Sequence, residues 1–325
     1  MTDSLGFVPV NPAPPGSVRL KVCTYNVLAQ HLALTNYFPY AQHNSVRQAK
    51  RRPRVLQAIL DADADVLFLQ EVEQQDIWLV PRLYSVGYSC TFQKKTHNKK
   101  DGVLIAWKIA KFRALKVVHQ DFESVPDCDP NPSEIEQFKA PQHTGGVALS
   151  VALQSVEDPN VVVGAGTSHI WWMHEMKRVK NTQIISMVNL IERTLRAAVE
   201  ENFADDSAVK CALLIGADFN TDPTDEPYQI ATSLCDYVSL ADMIPAAARG
   251  CGFTNVTESF KGWLDHIMWK PLCLKEGLSS PKILLETVKA LPSLEEVTRE
   301  VALPDSTHGS DHIPLICTLA IDTHV

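Results

Sequence analysis

Apolar residues recur along this chain in short runs, and between several of those runs they recur at helical spacing instead. Residues 18–27, 65–70, 103–107, 147–153, 161–166, 212–215, 264–269 and 313–320 read as strands. Val66, Leu67, Phe68 and Leu69 are apolar on both faces of such a strand, which predicts a central position covered on each side. Pro53 can open a helix at its first turn, with Val55, Leu56, Ile59 and Leu60 on one face. Ile184, Val188, Ile191, Leu195 and Val199, three or four residues apart, predict a longer helix. Residues 121–143, rich in Pro, Asp and Glu, read as a surface loop. Strands interrupted by helices, and too many for one simple doubly wound sheet, predict an α/β fold in which two sheets pack together under helices.

The length of 325 residues suits one large core, and no internal repeat or interdomain linker divides it. Residues 1–17 hold Asp3 and several prolines, without a basic start or a sustained apolar run. They read as a flexible leader rather than a signal peptide, with residues 18–325 as one domain. No run approaches the ~20 apolar residues that cross a bilayer, so no membrane partner is expected. Eight cysteines without a C-x-x-C pair suggest neither a zinc knuckle nor a disulfide framework. They imply a reducing compartment, the cytoplasm first and the nucleus second. A net charge of −8 argues against a protein that coats nucleic acid through a broad basic surface. It is compatible with an enzyme that grips a few phosphates and gathers carboxylates around divalent cations.

Polar residues of the ligating kind recur where the apolar runs end. Asn26, Glu71, His169, Asp218 and Asn220 follow their strands, whereas Asp265, Asp311 and His312 lie at the start of theirs. Strands running in opposite directions bring exits and entries to one rim, so all of these residues can meet in one crevice. Singly, each has a plain explanation. Asp218 and Asn220 alone would form an Asx-turn, Glu71 a surface carboxylate, and His169 or His312 a hydrogen-bonded packing histidine. Jointly they suit hydrolysis of a phosphodiester. Mg²⁺ prefers hard oxygen ligands and often takes only one or two carboxylates, and two such ions roughly 4 Å apart hold attacking and leaving oxygens together. Glu71 and Asp218 supply charge, Asn26 and Asn220 orient phosphate or water, and a histidine held by a carboxylate acts as base or donor.

The segments Thr24-Tyr25-Asn26-Val27-Leu28, Leu69-Gln70-Glu71-Val72, Gly216-Ala217-Asp218-Phe219-Asn220, Leu264-Asp265-His266-Ile267 and Ser310-Asp311-His312 resemble, in order and spacing, the motif set of the endonuclease/exonuclease/phosphatase (DNase I-like) superfamily. The resemblance implies a four-layer sandwich of two packed mixed β-sheets flanked by helices, with residues 18–325 as the catalytic domain. Asp101 to Ile105, the stretch from Phe253 to Gly262, and Leu303-Pro304 resemble the branch of carbon catabolite repressor-type deadenylases, nocturnin, Angel proteins and the 2′,5′-phosphodiesterase. That branch implies a poly(A)-preferring 3′–5′ exoribonuclease releasing 5′-AMP from single-stranded RNA. It needs one or two Mg²⁺, for which Mn²⁺ can substitute.

The implied roles follow residue by residue. Asn26, Glu71, Asp218, Asn220, Asp311 and His312 would lie at the metal, and His169, Asp218, Asn220, Asp265 and His312 would carry catalysis. Lys95, Asn220 and Phe260 would bind substrate, Phe260 by stacking on a base. Lys94, Lys99 and Lys100 would only add positive potential around Lys95. The alternatives are a phosphatase of NADP(H) in the manner of nocturnin, for which Lys177, Arg178 and Lys180 are candidate contacts, a 2′,5′-phosphodiesterase, and a catalytically silent RNA-binding scaffold. The chain departs from the branch at Ile170-Trp171-Trp172 with His174 where a proline is expected, at Gly309 before Ser310, and at Gly146 where an asparagine is expected. These positions line the pocket wall and bear on substrate preference. No leucine-rich repeat precedes the motifs, so the chain resembles stand-alone members, and no protein partner is implied.

Overall fold

Alternation along one strand decides how the molecule is layered. In the computed structural model, which describes residues 6–204, 209–274 and 280–322, the strand Val66–Glu73 turns Val66 and Phe68 into one apolar cluster. It turns Leu67 and Leu69 into another. The first cluster is the seam between two sheets. The second lies under Val55 and Ile59 of the helix Gln48–Ala62.

Numbered in chain order, the first sheet runs β1 (Phe7–Pro9), β14 (Lys282–Lys289), β15 (Leu315–Asp322), β2 (Val18–Asn26), β3 (Val66–Glu73), β5 (Asp101–Lys108) and β4 (Tyr88–Lys94). The second runs β10 (Val238–Ser239), β13 (Asp265–Leu272), β9 (Lys210–Asp218), β8 (Val161–Ser168), β7 (Val147–Ser155) and β6 (Phe112–Asp121). A small hairpin joins β11 (Asn255–Val256) to β12 (Lys261–Gly262). Both sheets are mixed, because β2 and β3 are parallel in one and β8 and β9 in the other. The 26-residue helix Lys177–Asn202 covers the outer face of the second sheet, burying Ile184, Ile191, Leu195 and Val199 as the spacing predicts. The expected four layers are present. Among the described residues no helix is long and apolar enough to cross a membrane.

Several local expectations need correction. Pro53 does not open its helix, which starts at Gln48. The turn ahead of the proline is pinned by the buried Arg51, whose guanidinium donates to the carbonyls of Leu28 and Gly309. Residues 121–143 are not merely a surface loop. They contain the helix Pro132–Phe138, closed by an Asn131–Glu134 capping box, and they send Phe122 and Cys128 into the core. Strands β4, β6 and β14 lie at or next to sheet edges and carry the polar residues that edges tolerate, which hid them in the hydropathy pattern. Within the segment read as a leader, Phe7–Pro9 pairs with β14 and buries Val8; residues 1–5 lie outside the described residues.

Beneath the motif-bearing strand ends, two features hold the sheets in close contact. A Cβ on Gly216 of β9 would lie 2.1 Å from Cδ2 and 2.5 Å from Cγ of Phe68, so only glycine lets β9 close onto β3 there. Beside it, the buried Gln70 amide of β3 donates to Thr24 Oγ1 (3.2 Å) in its own sheet, and to Thr167 Oγ1 (3.0 Å) and the Gly216 carbonyl (3.3 Å) in the other.

Candidate active site

Sheet register delivers the polar residues of the motifs to one rim. Asn26 closes β2 opposite Gln70, and Glu71 follows. The β3–β5 ladder shifts between Leu69 and Val72, and Glu71 adopts φ +55°, a backbone state that a glutamate occupies only under constraint. That bulge frees Gln70 and Glu71 from ordinary alternation. In the second sheet Asp265, the first residue of β13, pairs directly with Asp218, the last of β9. His169 bridges to Asp218 in parallel, and His312 bridges to Asn255 of the small hairpin. The expectation that strand exits and entries meet is therefore realised.

The Asn26 amide is the clamp. Its Nδ2 donates to Glu71 Oε1 at 3.0 Å and to Asp218 Oδ2 at 2.9 Å, while its Oδ1 accepts from the Leu28 amide at 3.0 Å. Both ends are engaged, so here Asn26 spaces two carboxylates rather than presenting a free oxygen. Glu71 Oε2 also accepts from the Ala29 amide at 2.9 Å. Asp265, wholly buried, accepts from His312 Nδ1 at 2.7 Å, which turns Nε2 toward Asp218 Oδ2 at 3.8 Å. On the other flank His169 Nε2 lies 3.6 Å from the same Asp218 oxygen. Lys95 donates to His169 Nδ1 at 3.0 Å and pairs with Asp101 at 2.7 Å. Because an ammonium group only donates, His169 must carry its proton on Nε2.

Asn220, at φ +49°, commits its amide nitrogen to the Ile170 carbonyl at 2.9 Å, leaving Oδ1 as the atom it can offer. Asp311 accepts from Asn255 at 3.2 Å. Glu71, Lys95, His169, Asp218, Asn220, Asp311 and His312 all line one cleft of about 730 Å³, with Phe260 on its wall. Asn26 and Asp265 stand behind that lining and act through their neighbours.

Charge is concentrated in this hollow. Burial, then Asp101, raises the carboxyl of Glu71 above its ordinary range; burial, then Asp265, does the same to Asp218. Burial lowers His169, with Lys95 and His312 adding to the effect, so its imidazole is neutral. Burial would also lower His312, but the carboxylates of Asp265, Asp311 and Asp218 prevail and hold it well above the usual histidine range. Ligand atoms of Asp218, Asp265 and His312 lie within 4.8 Å of one another. Buried carboxylates held apart by a neutral amide on the wall of this cleft are the hard-oxygen donor set that a divalent cation fits.

A second group, His97, Glu123 and His143, has parallel imidazole planes (4°) with centroids 4.2 Å apart. His97 pairs with Glu123, and His143 Nδ1 lies 2.9 Å from Asp129 Oδ2. The group fastens the hairpin bearing Lys95 to the residues beside Thr144.

Of the departures from the motif pattern, Gly309 lies off the cleft wall, where a Cβ would stand 2.8 Å from the Arg51 carbonyl oxygen. A Cβ on Gly146 would lie 2.8 Å from the Phe122 ring, so the core aromatic from residues 121–143 occupies the space of the absent side chain. Trp172, 64% exposed, and His174 form part of the cleft wall. None of Lys177, Arg178 and Lys180 reaches the lining: Arg178 pairs with Asp127 (2.8 Å) and Glu134 (2.7 Å), and Lys177 approaches Glu226 (3.8 Å). Lys180 is only 1% exposed and donates to the Asn220 carbonyl at 2.5 Å from behind. Sequence reasoning missed that role, and those of Gln70 and Asn255. Gln70 was within reach, since it stands inside the Leu69-Gln70-Glu71-Val72 motif. A lysine on the apolar side of a helix was the unused signal for Lys180.

Residues 23–312 match the profile of the Endonuclease/Exonuclease/phosphatase family. The chain is 26% identical over 337 residues to 2′,5′-phosphodiesterase 12 of Mus musculus, a match covering 92% of this chain and 51% of that protein. It is 25% identical over 328 residues to the CCR4-Not complex 3′-5′-exoribonuclease subunit Ccr4 of Saccharomyces cerevisiae, covering 91% of this chain and 38% of that one. The chain thus spans about half the length of the first of these curated relatives, and less of the second. Among solved structures, ANGEL2, a 2′,3′-cyclic phosphatase, in complex with adenosine-2′,3′-vanadate aligns with a TM-score of 0.71 at 17% identity, over 97% of this chain and 98% of that one. The human Nocturnin catalytic domain aligns with a TM-score of 0.66 at 20% identity, over 97% and 96%. These likenesses concern the fold. The profile runs from within β2 through the His312 motif, enclosing every candidate ligand described above, and the chain belongs to the endonuclease/exonuclease/phosphatase family.

Proposed function

We propose that the chain is a Mg²⁺-dependent 3′–5′ exoribonuclease that prefers poly(A) and releases 5′-AMP, acting in the cytoplasm or nucleus. The observation that carries this reading is the Asn26 amide gripping Glu71 and Asp218 at 3.0 and 2.9 Å between two histidines of opposite protonation. A divalent cation held there would supply charge stabilisation to the non-bridging phosphate oxygens and activate water for attack.

The protein's own groups do the rest. Asp218, whose Oδ2 lies 3.6 Å from His169 and 3.8 Å from His312, accepts the proton of the attacking water, and Asn220 orients that water. Protonated His312, fixed by Asp265, donates from Nε2 to the phosphate, while neutral His169 donates from its own Nε2. Lys95 meets a phosphate oxygen, and Glu71 and Asp218, with Asp311 on the same lining, would hold the cation. Phe260, 48% exposed on the cleft wall, takes the terminal base.

A 2′,5′-linked substrate is the second reading, favoured by the likeness to 2′,5′-phosphodiesterase 12. Action on the NADP(H) 2′-phosphate is disfavoured, because Lys177, Arg178 and Lys180 are engaged outside the cleft. A silent scaffold is disfavoured by the full complement of ligating residues.

The test is a panel of 5′-labelled oligo(A), oligo(U), oligo(dA) and 2′,5′-oligoadenylate, with NADPH, in Mg²⁺. Loss of single 3′-terminal adenylates from oligo(A), abolished by Glu71→Ala or Asp218→Ala, is the expected result. A metal-loaded wild type inert on oligo(A) overturns it.

A further inference from the structure

Asp311 belongs to two cavities. One is the main cleft, which Lys95, Lys99 and Lys261 also line. The other, about 490 Å³, opens on the far side of the hairpin that carries Phe260. Its lining is Asn36 to Tyr40 with Thr257, Glu258, Ser259 and Asp311. The two cavities are thus neighbours across Asp311, and Phe260 faces only the first.

The second cavity has the chemistry of a nucleoside site and not of a phosphate site. Among the described residues no lysine, arginine or histidine lines it, and its charged groups, Glu258 and Asp311, are acidic. Such a wall repels an anion, yet its carboxylates and hydroxyls can accept from or donate to a ribose or a base edge. Tyr37 stands 60% exposed there, and every base has a face that can stack on such a ring. The segment around it is not loose. Phe38 is buried against Leu28, Ala33 and Val46, and the Tyr40 hydroxyl donates to the Leu303 carbonyl. An exposed aromatic on an anchored segment is a platform already in position, so little ordering entropy opposes stacking.

We infer that this cavity, with Tyr37 as its stacking platform, is the subsite for the nucleoside on the leaving side of the scissile phosphate. The inference rests on the proposed phosphodiesterase activity. With the terminal base on Phe260, water adds to phosphorus, the bond from phosphorus to the 3′-oxygen of the penultimate nucleoside breaks, and that oxygen takes a proton. In-line attack places that leaving oxygen opposite the water, with the terminal nucleoside's 5′-oxygen to the side, so the two nucleosides diverge from the phosphate and the cavity across Asp311 receives the penultimate one. Its own 5′-phosphate, if present, projects out of the acidic cavity into solvent.

The test compares kcat/KM in Mg²⁺ for adenylyl-(3′→5′)-adenosine with that for the same dimer lacking only its 5′-side base. Both share the terminal adenosine, the phosphate and the leaving hydroxyl. The wild type is expected to prefer the intact dimer by about tenfold, a modest return for one base on one ring. Tyr37→Ala is expected to abolish that preference while cleaving the abasic dimer at the wild-type rate, and Tyr37→Phe to retain it. A wild type indifferent to the missing base, or a preference that survives Tyr37→Ala, overturns the subsite and leaves the phosphodiesterase assignment standing. If neither dimer nor oligo(A) is cleaved, the assignment itself falls, and the subsite with it.

Discussion

Gly216→Ala tests whether the closeness of the two sheets sets the spacing of the site. A Cβ at this position would stand 2.1, 2.5 and 2.8 Å from three atoms of Phe68, which is wholly buried in the seam. Restoring an ordinary contact of 3.4 Å against the nearest atom requires roughly 3.4 − 2.1, or about 1.3 Å, of relative movement. Phe68 cannot rotate into solvent, so the movement falls on β3 and β9. Glu71 lies three residues beyond Phe68 and Asp218 two beyond Gly216, so the Asn26 clamp must stretch or break. Overpacking of this kind costs typically ~1–3 kcal/mol of stability, and a displacement near 1 Å in a reacting constellation costs ~100-fold in rate. Urea unfolding and kcat/KM on oligo(A) give the two numbers. Phe68→Leu in the same chain removes ring atoms and is expected to recover much of both losses, so the pair is non-additive. If Gly216→Ala leaves activity unchanged, or if Phe68→Leu rescues nothing, the contact does not set the site.

Three further outcomes follow from individual contacts. Lys180→Met keeps volume but leaves the Asn220 carbonyl without its buried donor, a loss of ~1–3 kcal/mol; kcat is expected to fall about tenfold or more, with the circular dichroism spectrum unchanged. Gln70→Leu orphans two hydroxyls and a carbonyl between the sheets and is expected to lower stability by about 1–3 kcal/mol in urea unfolding. Asp305 is pushed up by burial, but hydrogen bonds from His308 and Thr307 prevail and bring its carboxyl down to about 2. Its folded pKa is depressed, so its stabilisation is complete above pH ~4 and fades as the pH falls toward 2. Discounted for solvent in this loop, Asp305→Asn should cost roughly 1–2 kcal/mol at pH 6 and less at pH 3. An equal cost at both pH values contradicts that assignment.

The sequence disclosed the rim of this site more readily than the machinery behind it. Glu71, Asp218 and His312 stand where apolar runs stop or start, and a strand end is visible in hydropathy alone. The direct pairing of Asp265 with Asp218 was not visible, because register depends on which strands become neighbours. Nor was the bulge that turns Gln70 and Glu71, since it breaks the alternation from which faces are assigned. Strands β6 and β14 escaped because Lys116, His119, Lys282 and Glu286 interrupt their apolar positions, as edge exposure permits. Lys180 stands four residues before Ile184 on the apolar side of its helix, which signals burial, but its partner, the Asn220 carbonyl, is fixed only when the helix docks.

The central claim is that the Asn26 clamp holds Glu71 and Asp218 as a receptor for one or more divalent cations. Titration of the wild-type chain with Mn²⁺, following free ion by electron paramagnetic resonance, tests it without a substrate. Saturable binding that Mg²⁺ displaces, weakened at least tenfold by Glu71→Gln and by Asp218→Asn, is the predicted result. Binding that is unaltered in both variants, or none in the wild type, would contradict the account.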